Sequence, residues 1–230
     1  MKKFYRGLIK LILKLTCKIE KFNFDRVPAE GGCILAANHL GRLDAVLVYA
    51  LVSRKDILLT PAEKYSKIAL FRWAAKSLNA IFLDRFKTDF KTIRAVLKRL
   101  KQGELMVVAP EGTRSKTETL NEGLPGAAYF AMKTDVPIFP VGITGTEDRL
   151  VVAGFRRFRR ADVLVQMGEP FYLPPQEDQE RDDYLKLATD EIMCQIAALL
   201  PQKYHGYYAD HPRLAELLST QGNITPTSPQ

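Results

Sequence analysis

Apolar residues recur along the chain in two periods. Between residues 3 and 19, Leu8, Ile9, Leu11, Ile12, Leu15 and Ile19 lie among cations at Arg6, Lys10, Lys14 and Lys18, spaced four apart. That pattern predicts an amphipathic helix with a cationic stripe. From residue 32 onward, short apolar runs of strand length alternate with longer helical patterns. Strands are expected at 33–37, 57–60, 80–83, 105–109, 138–143 and 163–167, with an edge strand at 19–24. Helices are expected at 44–52, 68–78, 90–101, 126–134 and 182–200. Beyond residue 200 the pattern weakens into an aromatic loop, a short helix near 212–218, and a polar tail at 219–230 that is expected to be disordered. The fold class this implies is α/β: one domain, 20–218, with a mixed, largely parallel sheet flanked by helices, preceded by the amphipathic helix of residues 1–19.

Length and composition agree with one domain, since 230 residues at 47% hydrophobic can bury one substantial core. The net charge of +8 matters once it is located. Lys2, Lys3, Arg6, Lys10, Lys14 and Lys18 all precede the first acid, Glu20, and a second cluster is Arg156, Arg157, Arg159 and Arg160. These two groups exceed the net charge, so the rest of the chain is slightly acidic. Local basicity points to two anionic contact surfaces and argues against a nucleic-acid partner. The N-terminal helix suits a membrane surface with anionic lipids, its apolar face in the acyl boundary; packing on the core with a solvated basic face is the other reading. No run approaches the ~18 apolar residues of a spanning helix and no cleavage site follows, so a protein neither exported nor transmembrane is expected. Cys17, Cys33 and Cys194 are far apart, which fits a reducing cytosol and core packing, with no metal site.

Familiar hydrolase, NTPase, dehydrogenase and metalloprotease motifs are absent from the sequence. What remains begins with Asn38-His39-Leu40-Gly41-Arg42-Leu43-Asp44, where an apolar strand gives way to a helix. A histidine there can take a proton near neutral pH, and a carboxylate in reach would fix its tautomer. With His39 in a turn eased by Gly41 and Asp44 in the first turn of the helix, the two can meet; an ordinary capping pair has the same spacing. Pro110-Glu111-Gly112-Thr113-Arg114-Ser115 follows another apolar strand. It suits an anionic group such as phosphate, or is a polar turn with an exposed arginine. Ile81-Phe82-Leu83-Asp84-Arg85 ends a strand in a charged pair, and the two prolines of 136–141 suggest an edge or a wall. His205 and His211 read as surface or packing residues. Phe155-Arg156-Arg157-Phe158-Arg159-Arg160 suits a lipid headgroup layer, a carrier's phosphates, nucleic acid, or a solvated hairpin turn.

In this order, these four strand-end blocks resemble the acyltransferase motifs of the 1-acylglycerol-3-phosphate acyltransferase family, over residues 31–145. The resemblance implies a fatty acyl transfer from acyl-CoA or acyl carrier protein to the hydroxyl of 1-acylglycerol-3-phosphate, giving phosphatidic acid; the basic helix then places the enzyme peripherally at the cytoplasmic face of a membrane, and base catalysis by a histidine calls for no metal or cofactor. The resemblance also implies His39 as general base, Asp44 as its orienting partner, and Arg85, Glu111, Gly112, Thr113 and Arg114 around the acceptor phosphate, with 136–141 lining the pocket. The chain departs from the family pattern at Gly41, where a small polar residue is common, and after the next strand, where a lysine often follows and this chain reads Thr60-Pro61-Ala62-Glu63-Lys64, with Lys64 as the candidate substitute. Rival readings are a related enzyme acting on another lysophospholipid or a glycolipid, and a non-catalytic lipid-binding module.

Overall fold

All five residues of β2 (Cys33–Ala37) are buried, as a strand covered on both faces requires. The structure is a computed structural model describing residues 2–78, 80–83 and 89–221. Its other strands are β1 (Cys17–Phe22), β3 (Ile57–Leu59), β4 (Leu105–Val108), β5 (Ile138–Thr144) and β6 (Ala161–Met167), ordered β1-β6-β5-β2-β4-β3. Every pairing is parallel except β5 with β6. The chain forms one α/β domain. Side chains alternate across the sheet, so Ile34, Ala36 and Met106 join one core, and Leu35, Ala37, Leu105 and Val107 the other. The first core is covered by α4 (Phe90–Lys101), α5 (Gly126–Thr134), α7 (Arg181–Ala197) and α8 (Pro212–Gln221). The second is covered by α1 (Lys2–Thr16), α2 (Asp44–Leu51) and α6 (Asp148–Arg156). A further helix, α3 (Ala69–Leu78), follows β3.

Several expectations need correction. Residues 80–83 make one bridge, Ala62 to Leu83, because this segment meets only the end of β3, at the Leu59 carbonyl (3.0 Å), and then follows the turn that leaves it, at the Pro61 carbonyl (2.9 Å). The 1–19 helix stops at Thr16, and 17–19 open β1. Residues 219–221 of the expected disordered tail complete α8; 222–230 lie outside the described residues. β5 is neither edge nor wall: it lies between β2 and β6, and Pro140 is tolerated there because the ladder to β6 begins one residue later, at Val141. α6 was not anticipated. Five of its nine residues are apolar, but Leu150, Val152 and Phe155 are exposed and only Val151 joins a core cluster, so no buried apolar face marks it.

The cationic stripe of α1 also divides. The Arg6 guanidinium turns inward, donating to the carbonyls of Arg54 (2.7 Å) and Tyr49 (3.1 Å), and Lys18 sits in β1 beside Glu20. Ile9 and Leu13 share the inward face with Arg6, whereas Leu8, Leu11, Ile12 and Leu15 are exposed on the opposite side. The helix is therefore apolar on two faces, with Lys10 and Lys14 between them.

Candidate active site

Parallel neighbours β2 and β4 end side by side, so the loops after them meet at the carboxyl edge of the sheet, where open α/β sheets place their sites. Asn38 continues the β2–β5 ladder with its side chain: Nδ2 donates to the Ile143 carbonyl (2.9 Å) and Oδ1 accepts from the Ile143 N–H (2.7 Å). That substitution releases the backbone to turn. His39 then lies in the turn and Asp44 at the start of α2, with His39 Nδ1 2.9 Å from Asp44 Oδ2. The same carboxylate oxygen accepts the Gly41 N–H at 2.8 Å, so one group fixes both the loop and the ring. Asp44 is 3% exposed, which shields the pair from water. Gly41 is a necessity of packing: a Cβ there would lie 1.8 Å from the Thr146 carbonyl oxygen.

The second loop braces the first from behind. Glu111 Oε1 accepts the His39 N–H at 2.8 Å, Oε2 accepts from the backbone and side chain of Asn121 (3.0 and 2.9 Å), and the Ser115 N–H donates to the His39 carbonyl (2.9 Å). Glu111 is 4% exposed, and burial raises its carboxyl above the ordinary carboxylate value against the pull of these donors. Gly112, at φ 69°, returns its N–H to the Ala109 carbonyl (3.0 Å), so that amide serves the turn and is not free for an anion. Thr113 is exposed, and neither it nor Glu111 lines the cavity described next. Arg114 does.

That cavity holds 1210 Å³, above the ~300–1,000 Å³ usual for small-molecule sites. His39 and Asp44 are part of its wall; the rest is mostly apolar, bounded by side chains such as Leu59, Phe82, Leu83, Val108 and Phe130, with Asp89 and Arg181 among its polar members. Arg42 and Arg114 also line it, and Asp148 holds both guanidinium groups: Arg114 Nη1 is 2.6 Å and Arg42 Nε 3.4 Å from Asp148 Oδ2. Asp148 Oδ1 also accepts the Arg42 N–H at 3.0 Å. Sequence reasoning passed over Arg42 and Asp148, since nothing near Asp148 in the chain marks it. Residues 136–141 do not line the cavity, because β5 lies on the side of β2 away from β4 and β3, whose ends border it. Arg85 lies outside the described residues, and no group of residues suited to a metal occurs among those described.

The cysteines do not compete with His39 for chemistry. Burial pushes the Cys33 thiol to about 11 and the Cys194 thiol to about 12, and raises Cys17, so all three are protonated at neutral pH. His205 is buried and bonded to the Leu200 carbonyl (2.9 Å), and His211 contacts Cys194 (3.4 Å).

A family model described as Acyltransferase matches residues 3–144. The 1-acyl-sn-glycerol-3-phosphate acyltransferase of Bacillus subtilis is 25% identical over 88% of this chain and 94% of its own. That of Salmonella typhimurium is 28% identical over 77% and 71%. The crystal structure of the 1-acyl-sn-glycerophosphate (LPA) acyltransferase PlsC from Thermotoga maritima superposes with a TM-score of 0.60 at 24% identity, covering 86% of this chain and 83% of that one. The fold, the strand-end blocks and these matches agree that the chain belongs to the acyltransferase family, alongside the 1-acyl-sn-glycerol-3-phosphate acyltransferases.

Proposed function

We propose that this acyltransferase moves a fatty acyl group from the thioester of acyl-CoA or acyl carrier protein to the free hydroxyl of 1-acylglycerol-3-phosphate, giving phosphatidic acid. The observation that carries the reading is the His39 ring, held at Nδ1 by Asp44 (2.9 Å) in the wall of a large apolar cavity. With Nδ1 engaged, Nε2 is the nitrogen left for a substrate. The acceptor oxygen attacks the thioester carbonyl carbon while Nε2 takes the hydroxyl proton, and Asp44 stabilises the imidazolium that forms. Collapse of the tetrahedral intermediate breaks the C–S bond, and the thiolate takes the proton back, restoring neutral His39. Proton transfer of this kind contributes roughly 100-fold to 10,000-fold.

Arg42 and Arg114, tied to Asp148, supply a cationic fork for the acceptor phosphate. Arg85 joins them in this reading, Gly112 and Thr113 shape the turn that presents Arg114, and Glu111 positions His39 through its backbone. The relatives named above supply the acceptor: each is described as acting on 1-acyl-sn-glycerol-3-phosphate or 1-acyl-sn-glycerophosphate. Among the described residues no helix is long and apolar enough to cross a membrane. We assign the protein to the cytoplasmic face as a peripheral enzyme, with α1 lying on anionic lipid. The test is release of free thiol from acyl-CoA and from acyl carrier protein, with and without lysophosphatidic acid. Release that the acceptor fails to stimulate, or that a lysophospholipid without the terminal phosphate or a glycolipid stimulates equally, removes the assignment.

A further inference from the structure

α6 ends on a turn that glycine usually completes. The Arg159 N–H donates to the Gly154 carbonyl (2.9 Å) and the Phe158 N–H to the Phe155 carbonyl (3.2 Å), the paired closure of a Schellman motif. The residue this closure drives into the left-handed region is Phe158, at φ 54°. A Cβ opposes that backbone, and a bulky side chain there is uncommon. Phe158 is 100% exposed, so packing does not offset the cost, and Phe155 is 74% exposed one turn earlier. Arg156, Arg157, Arg159 and Arg160 flank them, all exposed, and no acid occurs from 149 to 161.

The tip continues a second basic feature. Ala161 pairs with Cys17, and Arg160 reaches back to the Lys14 carbonyl at 3.5 Å, which joins the tip to the end of α1. Beside this junction lies a crevice of 450 Å³ lined by Lys10, Lys14, Lys18, Lys21 and Arg160. Cations of α1, β1 and the tip thus form one surface, on the helix that also exposes Leu8, Leu11, Ile12 and Leu15.

We propose that residues 155–160 are a second membrane anchor, inserting Phe155 and Phe158 into the acyl boundary while the flanking arginines and the lysine crevice hold anionic lipid headgroups. The inference rests on the membrane reading of α1 and is independent of the reaction. A solvated turn has no use for phenylalanine at the glycine position. An acidic carrier protein complements the arginines but not two exposed phenyl rings, whereas a bilayer interface takes both. The anchor has a mechanical consequence. α6 is nine residues long, roughly 13 Å. Its first residue, Asp148, holds Arg42 and Arg114, so the tip ties the arginine fork to a fixed distance from the bilayer.

The experiment is co-sedimentation of the full chain with phosphatidylcholine vesicles, with and without phosphatidylglycerol, for wild type, Phe155→Ser/Phe158→Gly, the single Phe158→Gly and Lys10→Glu/Lys14→Glu. The double phenylalanine variant is expected to bind anionic vesicles roughly tenfold more weakly. Its Tm stays level or rises, because glycine suits φ 54°, and its turnover of detergent-dispersed acceptor is unchanged. Should the double variant unfold, Phe158→Gly alone is expected to weaken binding without loss of Tm. In a Trp73→Phe background, Phe158→Trp is expected to show a blue-shifted emission on anionic vesicles. Undiminished binding by the phenylalanine variants while Lys10→Glu/Lys14→Glu is released overturns the tip and leaves α1 as the anchor. Wild type that ignores anionic vesicles overturns both. Loss of acyl carrier protein binding, with vesicle binding intact, transfers the tip to the carrier and overturns the proposal.

Discussion

Asp44 Oδ2 accepts from the His39 ring and from the Gly41 N–H at once, so removing the carboxylate disturbs a proton acceptor and a loop together. His39→Ala is expected to lower kcat by at least ~100-fold with the fold kept and a modest loss of Tm, since it deletes proton transfer and also takes one donor from the buried Asp44 carboxylate. Asp44→Asn offers an amide where the ring needs an acceptor and is expected to lower kcat severely, with some loss of stability; turnover of either variant near wild type removes the pair from the mechanism. Glu111 makes a prediction in pH. Its carboxyl is raised in the folded protein, so folding favours its protonated form. Its contribution to stability is full below the ordinary carboxylate range and is lost as pH rises through the raised value. Wild type is therefore expected to lose Tm relative to Glu111→Gln, which does not titrate, as pH climbs through that window, measured by thermal scans at matched ionic strength; a difference independent of pH contradicts the burial argument. The strand-end spacing makes His39 and Asp44 a candidate pair no better than an ordinary capping pair, and the resemblance to the acyltransferase motifs is what singles them out; the 2.9 Å contact shows that they meet. Arg42 and Asp148, 106 residues apart, were not legible, because a contact made by folding leaves no mark on either residue's neighbours.

At the scale of elements, what holds the carboxyl edge of the sheet in register is set at the opposite edge. Arg54, 6% exposed, donates to the Gly31 carbonyl ahead of β2 (2.6 Å), also bonds the Gly103 carbonyl ahead of β4, and pairs with Asp56 ahead of β3. Three adjacent strands begin on one guanidinium. Arg54→Ala leaves these acceptors short of a charged donor and is expected to cost about 2–4 kcal/mol, read as a fall in urea midpoint. A midpoint within error of wild type would show that water satisfies those carbonyls equally well. α6 makes the matching prediction at the site, where Asp148 holds Arg42 and Arg114. Arg114→Ala is expected to raise KM for the phosphorylated acceptor several-fold, and Asp148→Ala to do the same through two loosened guanidinium groups; an unchanged KM in both places the phosphate elsewhere. Long periodic segments such as α4 and α7 were readable in the sequence to within a few residues. The short α6 is hidden by its exposed apolar residues; β5 is readable as a strand at 138–143, and only its place in the sheet is not, because proline marks an edge unless the start of the neighbouring ladder is known.

Across the whole molecule, α1 couples the cavity to whatever covers its outer face. Ile9 reaches the cavity and Arg6 fastens the helix to the Tyr49 and Arg54 carbonyls, while Leu8, Leu11, Ile12 and Leu15 face outward between Lys10 and Lys14 on one flank and solvent on the other. An exposed apolar stripe opposite a docked face suits a helix lying in a bilayer interface, where each lysine adds about 1 kcal/mol of attraction to anionic lipid. The sequence showed the cations and the apolar residues, but it could not show that Arg6 and Ile9 turn inward, since a helical period fixes relative and not absolute facing. Lys10→Glu/Lys14→Glu leaves the inward face intact, so the fold and the His39 site should be untouched. Its turnover of acceptor in detergent micelles is expected to equal wild type. On anionic vesicles its turnover is expected to fall by about tenfold or more at low salt, and wild type should lose the same advantage as salt rises past the Debye regime of ~0.1–0.15 M. Measuring both rates on both presentations separates docking from catalysis: a variant slowed equally in micelles has a damaged site, and a variant slowed in neither makes α1 ordinary packing.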